Sequence, residues 1–248
     1  MAGPPWSPVG PRRRFLALGL AAAALVASCS TAPVSPQAAA DEGALQVGFL
    51  VVDGVYNSEL MAPWDVFHHT VFHSAPGMRV FTLAPSREPI TTFEGIRILP
   101  DHTLEDAPAI DVLVVPSAEH SMDSDLEDAA LIGWVTDVGA RASHVLSLCD
   151  GAFVLAQAGL LEGLECTTFP GDVAAFRARF PDLLVHEGLS FVHDGKVLTS
   201  AGGARSYEAA LYLCERLYGD EAARGIARGL VIDWDLDAVP HVTTERAR

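Results

Sequence analysis

The chain has 248 residues, half of them hydrophobic, which is enough for one good-sized domain with a substantial core. Its 16 basic and 32 acidic residues give a formal net charge of −16, and such an acidic surface repels phosphate backbones, which argues against a nucleic-acid partner. The four cysteines are too few for a disulfide scaffold and include no Cys-x-x-Cys pair, which argues against a zinc site built on thiolates.

Residues 1–28 are predicted to be a signal peptide. Arg12, Arg13 and Arg14 resemble a twin-arginine export signal and precede an apolar run that is shorter than the ~20 residues of a membrane span. The run ends in a segment that resembles a bacterial lipobox, in which Cys29 is lipidated after cleavage. The alternative is an ordinary signal peptide with an incidental cysteine. Residues 29–43 then form the lipobox cysteine and a flexible tether rich in Ser, Pro and Ala. We expect an exported lipoprotein that faces the periplasm or cell exterior and touches the membrane only through its lipid.

Residues 44–230 are predicted to form one α/β domain, followed by an irregular tail at 231–248. Short apolar runs predict strands, and apolar residues at helical spacing predict helices. The predicted strands are 46–52, 79–84, 111–115, 144–148, 165–168, 184–186, 190–193 and 196–199, with an edge strand or hairpin arm at 91–99. The predicted helices are 59–69, 126–141, 151–158, 172–180 (with Asp172 as N-cap), 205–218 and 220–227. This alternation predicts a largely parallel sheet with helices on both faces.

Cys149 lies at a predicted turn between a strand and a helix, in the segment HVLSLCDGAFVLA at 144–156. Such a turn places one side chain above the C-terminal edge of the sheet, where open α/β sheets bind ligands. Gly151 permits tight backbone geometry there, and the N–H groups of the helix N-terminus favour a thiolate over a thiol. The alternative is a buried structural cysteine, which is the usual role of a lone thiol.

The segment CDGAF at 149–153, with GLL at 159–161, resembles the thiol elbow of the ThiJ/PfpI family, which belongs to the class I glutamine amidotransferase-like superfamily. Three further segments fit the family in the right order, so that the resemblance covers roughly residues 45–230. They are VGFLVVDGVYNSELMAPWDVF at 47–67, DVLVVPS at 111–117 and DGKVLTSAGGARSYEAALYLCERLY at 194–218. The resemblance implies a flavodoxin-like three-layer sandwich, no cofactor, and a reactive cysteine paired with an acidic side chain.

The acidic residue that the resemblance implies is Glu59. A protonated Glu59 donates a hydrogen bond to the thiolate and lowers the pKa of Cys149, whereas an ionised Glu59 repels the thiolate and raises it. A pocket that shields Glu59 favours the neutral acid. The alternative role for Glu59 is a helix N-terminal acid that the macrodipole stabilises.

The family's oxyanion site consists of backbone N–H groups, which here correspond to Asp150 after the cysteine and to Ser117 and Ala118 in the turn that follows Pro116. The family turn is usually Pro-Gly-Gly, and Ser and Ala supply the same donors only without the positive φ that Gly adopts easily.

The histidine that many family members carry after a Thr-Thr pair is replaced here by Phe169, which cannot act as a base. A Cys–His dyad is therefore not expected. His120, in the loop after Ala118, is the other histidine near the pocket; it is either a proton shuttle or a solvated loop residue. We expect no metal site at the histidines of residues 68–73, and Cys166 and Cys214 are expected to be core thiols.

Three alternative functions follow, and the expected partner is a small-molecule ligand. The first is a hydrolase or hydratase that attacks a small electrophile, such as an isonitrile or an α-oxoaldehyde, through Cys149 and Glu59, with the isonitrile hydratase branch nearest. The second is a non-catalytic ligand- or redox-sensing module. The third, a peptidase or amidase, is the least favoured because of Phe169. The resemblance also implies a homodimer.

Overall fold

The computed structural model describes residues 43–247. The predicted signal peptide, the arginines at 12–14, the lipidated Cys29 and nearly all of the tether lie outside this range. Within it, no helix is both long enough and apolar enough to cross a membrane.

The described residues form a main sheet with the strand order β12-β10-β11-β7-β6-β1-β2-β5. Every neighbouring pair is parallel except β10 and β11. Two small two-stranded sheets, β3–β4 and β8–β9, lie beside it. The strands are β1 (Gln46–Leu50), β2 (Arg79–Ala84), β3 (Ile90–Thr91), β4 (Arg97–Ile98), β5 (His102–Thr103), β6 (Val112–Val115), β7 (His144–Leu148), β8 (Glu165–Cys166), β9 (Leu184–Val185), β10 (Phe191–Asp194), β11 (Val197–Ser200) and β12 (His241–Thr243).

Helices cover both faces of the main sheet. The helices are α1 (Asn57–His69), α2 (Ala129–Arg141), α3 (Gly151–Gln157), α4 (Val173–Arg179), α5 (Arg205–Tyr218) and α6 (Asp220–Gly229). One buried cluster contains residues of α1, α5 and α6, and the other contains residues of α2, α3 and α4. The fold is therefore a flavodoxin-like three-layer α/β sandwich with a mainly parallel sheet, as the resemblance implied.

The central strand β6 shows why the sheet carries a layer on each side. Val112 and Val114 pack into the cluster with α1, α5 and α6, whereas Leu113 and Val115 pack into the opposite cluster. Successive side chains of a strand point to opposite faces, so a run of four apolar residues requires cover on both. All four side chains are fully or almost fully buried.

The prediction of an irregular C-terminal tail is wrong for residues 241–243, which form β12 and pair in parallel with β10. Asp194 is buried at the end of β10 and accepts hydrogen bonds from the Thr244 hydroxyl and the Arg246 guanidinium, so two polar side chains beyond β12 anchor this edge strand. A three-residue strand has too little alternation to be read from sequence.

Candidate active site at the Cys149 turn

Cys149 occupies the sharp turn between β7 and α3, with a φ of 54° in the left-handed region. Few residues other than Gly adopt this conformation, and it recurs where strain serves a site. The Cys149 N–H donates to the Ser200 carbonyl at the end of β11, 2.9 Å away, and the residue is only 7% exposed. The structure thus places Cys149 at the C-terminal edge of the parallel strands, where the sequence predicted it.

Two glycines leave room for this turn. A Cβ on Gly151 would lie 2.1 Å from the Val115 carbonyl oxygen, and a Cβ on Gly202 would lie 2.4 Å from the Cβ of Cys149. Gly202 also has a φ of +76°. The elbow therefore depends on Gly151 for its approach to β6 and on Gly202 for its approach to the loop after β11.

Glu59 lies in the first turn of α1 and is 4% exposed. Its Oε1 accepts a hydrogen bond from the Gly203 N–H at 2.9 Å, whereas its buried Oε2 has no protein partner. Burial raises the pKa of Glu59, although the bonds from Gly203 and Ser58 lower it in part. Burial therefore favours the neutral acid more than in a free glutamate, and the unpartnered Oε2 is the oxygen from which a proton can be donated.

The surroundings of Cys149 favour a neutral thiol in the resting site. Burial raises the pKa of Cys149, and the Asp150 carboxylate raises it further, as does the Glu59 carboxyl group whenever it is ionised. The Ser117 hydroxyl and the Asp150 N–H lower it, but by less. This differs from the expectation that the helix N-terminus would favour the thiolate, because burial and the carboxylates outweigh the backbone donor.

The three N–H groups predicted for an oxyanion site are not equivalent. The Asp150 N–H faces the thiol, and the Ser117 N–H has no acceptor among residues 43–247. The Ala118 N–H differs from the prediction, because it already donates to the Ser121 hydroxyl at 2.8 Å. The available donors are therefore those of Asp150 and Ser117.

The position of His120 favours the solvated loop residue over the proton shuttle. Its side chain is about half exposed, and its Nδ1 lies 3.3 Å from an Asp123 carboxylate oxygen in the same loop. Phe169 is 42% exposed and follows Thr168, which contacts the elbow directly. The Thr-Thr-Phe segment thus lies where the resemblance implied, with a ring that carries no proton.

The carboxyl side chain of Asp150 is the site feature that sequence reasoning missed. Its Oδ2 lies 3.8 Å from the Cys149 Sγ, within S–H···O hydrogen-bonding distance, and its Oδ1 accepts from the Thr168 hydroxyl at 3.0 Å. Burial and, after it, the Asp172 carboxyl raise the pKa of Asp150 to about 6. The predicted N-cap residue Asp172 makes no side-chain capping bond to α4. Both acids are visible in the sequence, Asp150 in CDG at 149–151 and Asp172 in TTFPGD at 167–172.

The remaining cysteines and histidines do not extend the site. Cys166 and Cys214 are free and fully buried, as expected for core thiols, and burial raises the pKa of Cys166 to about 12. Among the described residues, no group of three or more His, Cys, Asp or Glu side chains is arranged to hold a metal ion.

Comparison with known proteins adds to this geometry. The model of the DJ-1/PfpI family matches residues 45–216. An isonitrile hydratase of Pseudomonas putida is 31% identical over 186 residues, which are 73% of this chain and 75% of that protein. An HTH-type transcriptional regulator of Pseudomonas aeruginosa is 27% identical over 62% of this chain, but only 41% of the regulator is covered. A crystal structure of a ThiJ/PfpI family protein from Pseudomonas syringae superposes with a TM-score of 0.70 at 26% identity, covering 78% of this chain and 77% of that one.

Proposed function

The chain belongs to the DJ-1/PfpI family, and on that premise we propose that it is a cysteine-dependent hydratase or hydrolase of small, uncharged electrophiles of the isonitrile or α-oxoaldehyde type. The observation that carries the proposal is the pairing at the elbow. Cys149 is held in a left-handed turn, and Glu59 is buried with one oxygen bound to Gly203 and the other unpartnered. A nucleophile at a sharp turn and a buried acid beside it each have a role in covalent catalysis.

Hydration of an isonitrile proceeds in three steps. The Cys149 sulfur forms a bond to the isonitrile carbon, and the thiol proton is transferred to that carbon, which gives a thioimidate. Water then adds to the same carbon while Glu59 Oε2 gives its proton to nitrogen and recovers one from the water. The C–S bond breaks, the formamide leaves, and Cys149 regains a proton. The net reaction adds one water to the isonitrile.

The charge around the thiol supports a neutral substrate. Glu59, Asp150 and Asp172 place three carboxyl groups in this part of the molecule, and an anionic substrate would be repelled by any that are ionised. A cavity of about 430 Å³ lies beside Gly203, the residue that binds Glu59; Met61, Ile96 and Tyr207 contribute to its lining, whereas Cys149 and Glu59 do not. Such a volume suits a small molecule with an apolar substituent.

The experiment is a turnover assay of the purified protein with alkyl and aryl isonitriles and with methylglyoxal. We expect formamide or hydroxyacid to form, and we expect Cys149→Ala to abolish it. Cys166→Ala is the matched control, because Cys166 is a fully buried thiol of the same sheet domain, and it should retain turnover. Absence of turnover with every substrate, or equal turnover by Cys149→Ala, overturns the proposal.

The second candidate function is ligand or redox sensing. The similarity to part of a transcriptional regulator favours it. It predicts that peroxide converts Cys149 to a stable sulfinate in a protein that turns over no substrate. Peptidase or amidase activity is the least supported, since Phe169 supplies no base.

Lipidation at Cys29, export and homodimerisation are proposed on the sequence alone. Metabolic labelling with an alkyne fatty acid should mark the wild-type protein and not the Cys29→Ser variant, and the label should fractionate with membranes. Light scattering of the protein in detergent should give the mass of a dimer. An unlabelled, fully soluble wild-type protein contradicts the lipid anchor.

A further inference from the structure

We propose that the Asp150 side chain is a catalytic proton carrier that accepts the Cys149 thiol proton as the sulfur attacks and delivers it to the carbon that the sulfur has attacked. This inference rests on the proposed function and deepens it, because it assigns the proton transfer that the Cys149–Glu59 pair leaves unassigned. Asp150 was expected to contribute only its backbone N–H.

Asp150 lies within reach of the thiol proton. Asp150 Oδ2 lies 3.8 Å from Sγ, in the direction of a thiol donor, whereas Glu59 Oε1 is occupied by the Gly203 N–H. A base must lie within hydrogen-bond reach of the proton that it removes. Phe169 carries no exchangeable proton, so the segment after the elbow offers no other acid or base at that position.

Thr168 orients the Asp150 carboxyl group. The Thr168 hydroxyl lies 3.0 Å from Asp150 Oδ1 and 3.1 Å from the Cys149 carbonyl oxygen. One hydroxyl hydrogen cannot serve both acceptors fully. With Asp150 protonated, Thr168 donates to the carbonyl and receives a hydrogen bond from the acid; with Asp150 ionised, the hydroxyl turns toward the carboxylate. Thr168 therefore accommodates both protonation states without movement of the carboxyl group.

The charges near Asp150 favour its uptake of a proton. The titratable groups that face Asp150 are Cys149 on the same turn, Asp172 at the start of α4 and Tyr56 before α1. The Asp172 carboxyl makes a second negative charge on Asp150 unfavourable, so Asp150 takes up a proton more readily than an isolated aspartate. When the proton moves from sulfur to Asp150, the carboxylate that repels the thiolate disappears as the thiolate forms.

The proton balance closes within the site. The S–H bond breaks as the S–C bond forms, and Asp150 holds the proton while the lone pair of the attacked carbon becomes a carbanion-like centre. Asp150 then transfers the proton to that centre and returns to its ionised form. Glu59 remains free to protonate nitrogen in the hydration step, so the two carboxyl groups act on different atoms.

The test compares Asp150→Asn with wild type by two readouts. Asn keeps the size of Asp and an oxygen that accepts from Thr168. Circular dichroism is used to check that the variant protein is folded. The first readout is alkylation of Cys149 by neutral iodoacetamide between pH 5 and 9, which needs no substrate. We expect the wild-type rate to rise as Asp150 loses its proton near pH 6 and then to level, whereas the variant rate rises about tenfold per pH unit without a step near 6. The same profile in both proteins overturns the proposal.

The second readout is turnover of the isonitrile, which we expect to fall by about 10²- to 10⁴-fold in Asp150→Asn. Undiminished turnover by the variant overturns the Asp150 role while leaving the proposed hydratase intact. A wild-type protein with no turnover but with the Asp150-dependent alkylation step refutes the proposed function and supports the thiol–carboxyl pair. Asp172→Asn should move the alkylation step to lower pH, since it removes a repelling charge; a step that stays in place contradicts the role of charge.

Discussion

Replacing Gly202 by Ala tests whether close approach to Cys149 maintains the elbow. A Cβ at position 202 would lie 2.4 Å from the Cβ of Cys149 and 2.8 Å from both its Cα and its N. Two of these atoms belong to the backbone, so no rotamer change relieves the clash, and the turn or the loop after β11 must shift. Left-handed φ alone costs a non-Gly residue about 1–2 kcal/mol, and forced overpacking adds about 1–3 kcal/mol. We therefore expect Gly202→Ala to lower the free energy of unfolding by about 2–5 kcal/mol.

The matched control is Gly195→Ala in the β10–β11 turn. Gly195 also has a positive φ, of +63°, but its added Cβ would meet no atom within 4 Å. This variant should lose only the left-handed cost of about 1–2 kcal/mol. Urea unfolding followed by circular dichroism measures both, and Gly202→Ala should also slow the alkylation of Cys149. Equal urea midpoints for the two variants would refute the steric reasoning.

Three further predictions concern the acid beside the thiol, a buried histidine and the C-terminal edge strand. Glu59→Gln keeps an acceptor for Gly203 but no transferable proton, so turnover should fall by about 10²- to 10⁴-fold with little change in stability. Burial lowers the pKa of His193 to about 4 in the folded protein, below the 6.5 of the unfolded chain. Between these two pH values the unfolded state binds more protons, so the free energy of unfolding falls as the pH falls. Urea titrations at pH 7 and pH 4 should show a loss of about 2–3 kcal/mol in this free energy, and His193→Gln should abolish the loss. Arg246→Gln removes the ion pair with Asp194 and should speed hydrogen exchange in β12 (His241–Thr243).

Each of these has a contradicting result. Full turnover by Glu59→Gln would remove the acid from the mechanism. An unchanged pH slope in His193→Gln, with the exposed His68→Gln as control, would assign the acid lability to another group. Exchange in β12 that matches wild type would show that backbone pairing with β10 holds the strand without Arg246.

Most of the sheet could be predicted from the sequence, because each central strand is a short apolar run that must be buried on both faces. The run HVLSL followed by CDG predicted the elbow, and the structure places Cys149 there with the left-handed φ that such a turn needs. Glu59 came from resemblance; its burial and its bond to Gly203 join residues 144 positions apart, which no local pattern contains.

Several contacts between polar groups at the site could not be predicted from the sequence. Asp172 has the residue type and position of an N-cap, yet its carboxyl faces Asp150 instead of the helix N–H groups. Ala118 lies in the expected turn, but the Ser121 hydroxyl three residues later takes its N–H. His120 pairs with Asp123 in its own loop. Residue types and spacing do not decide such contacts, because a polar group can form hydrogen bonds with any of several neighbouring donors or acceptors.

In the proposed mechanism, Cys149 forms a covalent bond to the substrate carbon and Glu59 supplies the later proton. The most direct measurement is acid-quench mass spectrometry of Glu59→Gln mixed with an aryl isonitrile, because this variant should form the thioimidate and hydrolyse it slowly. We predict a mass increase equal to one isonitrile on the peptide that contains Cys149, and no increase in the Glu59→Gln/Cys149→Ala double variant. Formamide production without any adduct on that peptide, undiminished when Cys149 is replaced, would contradict the account.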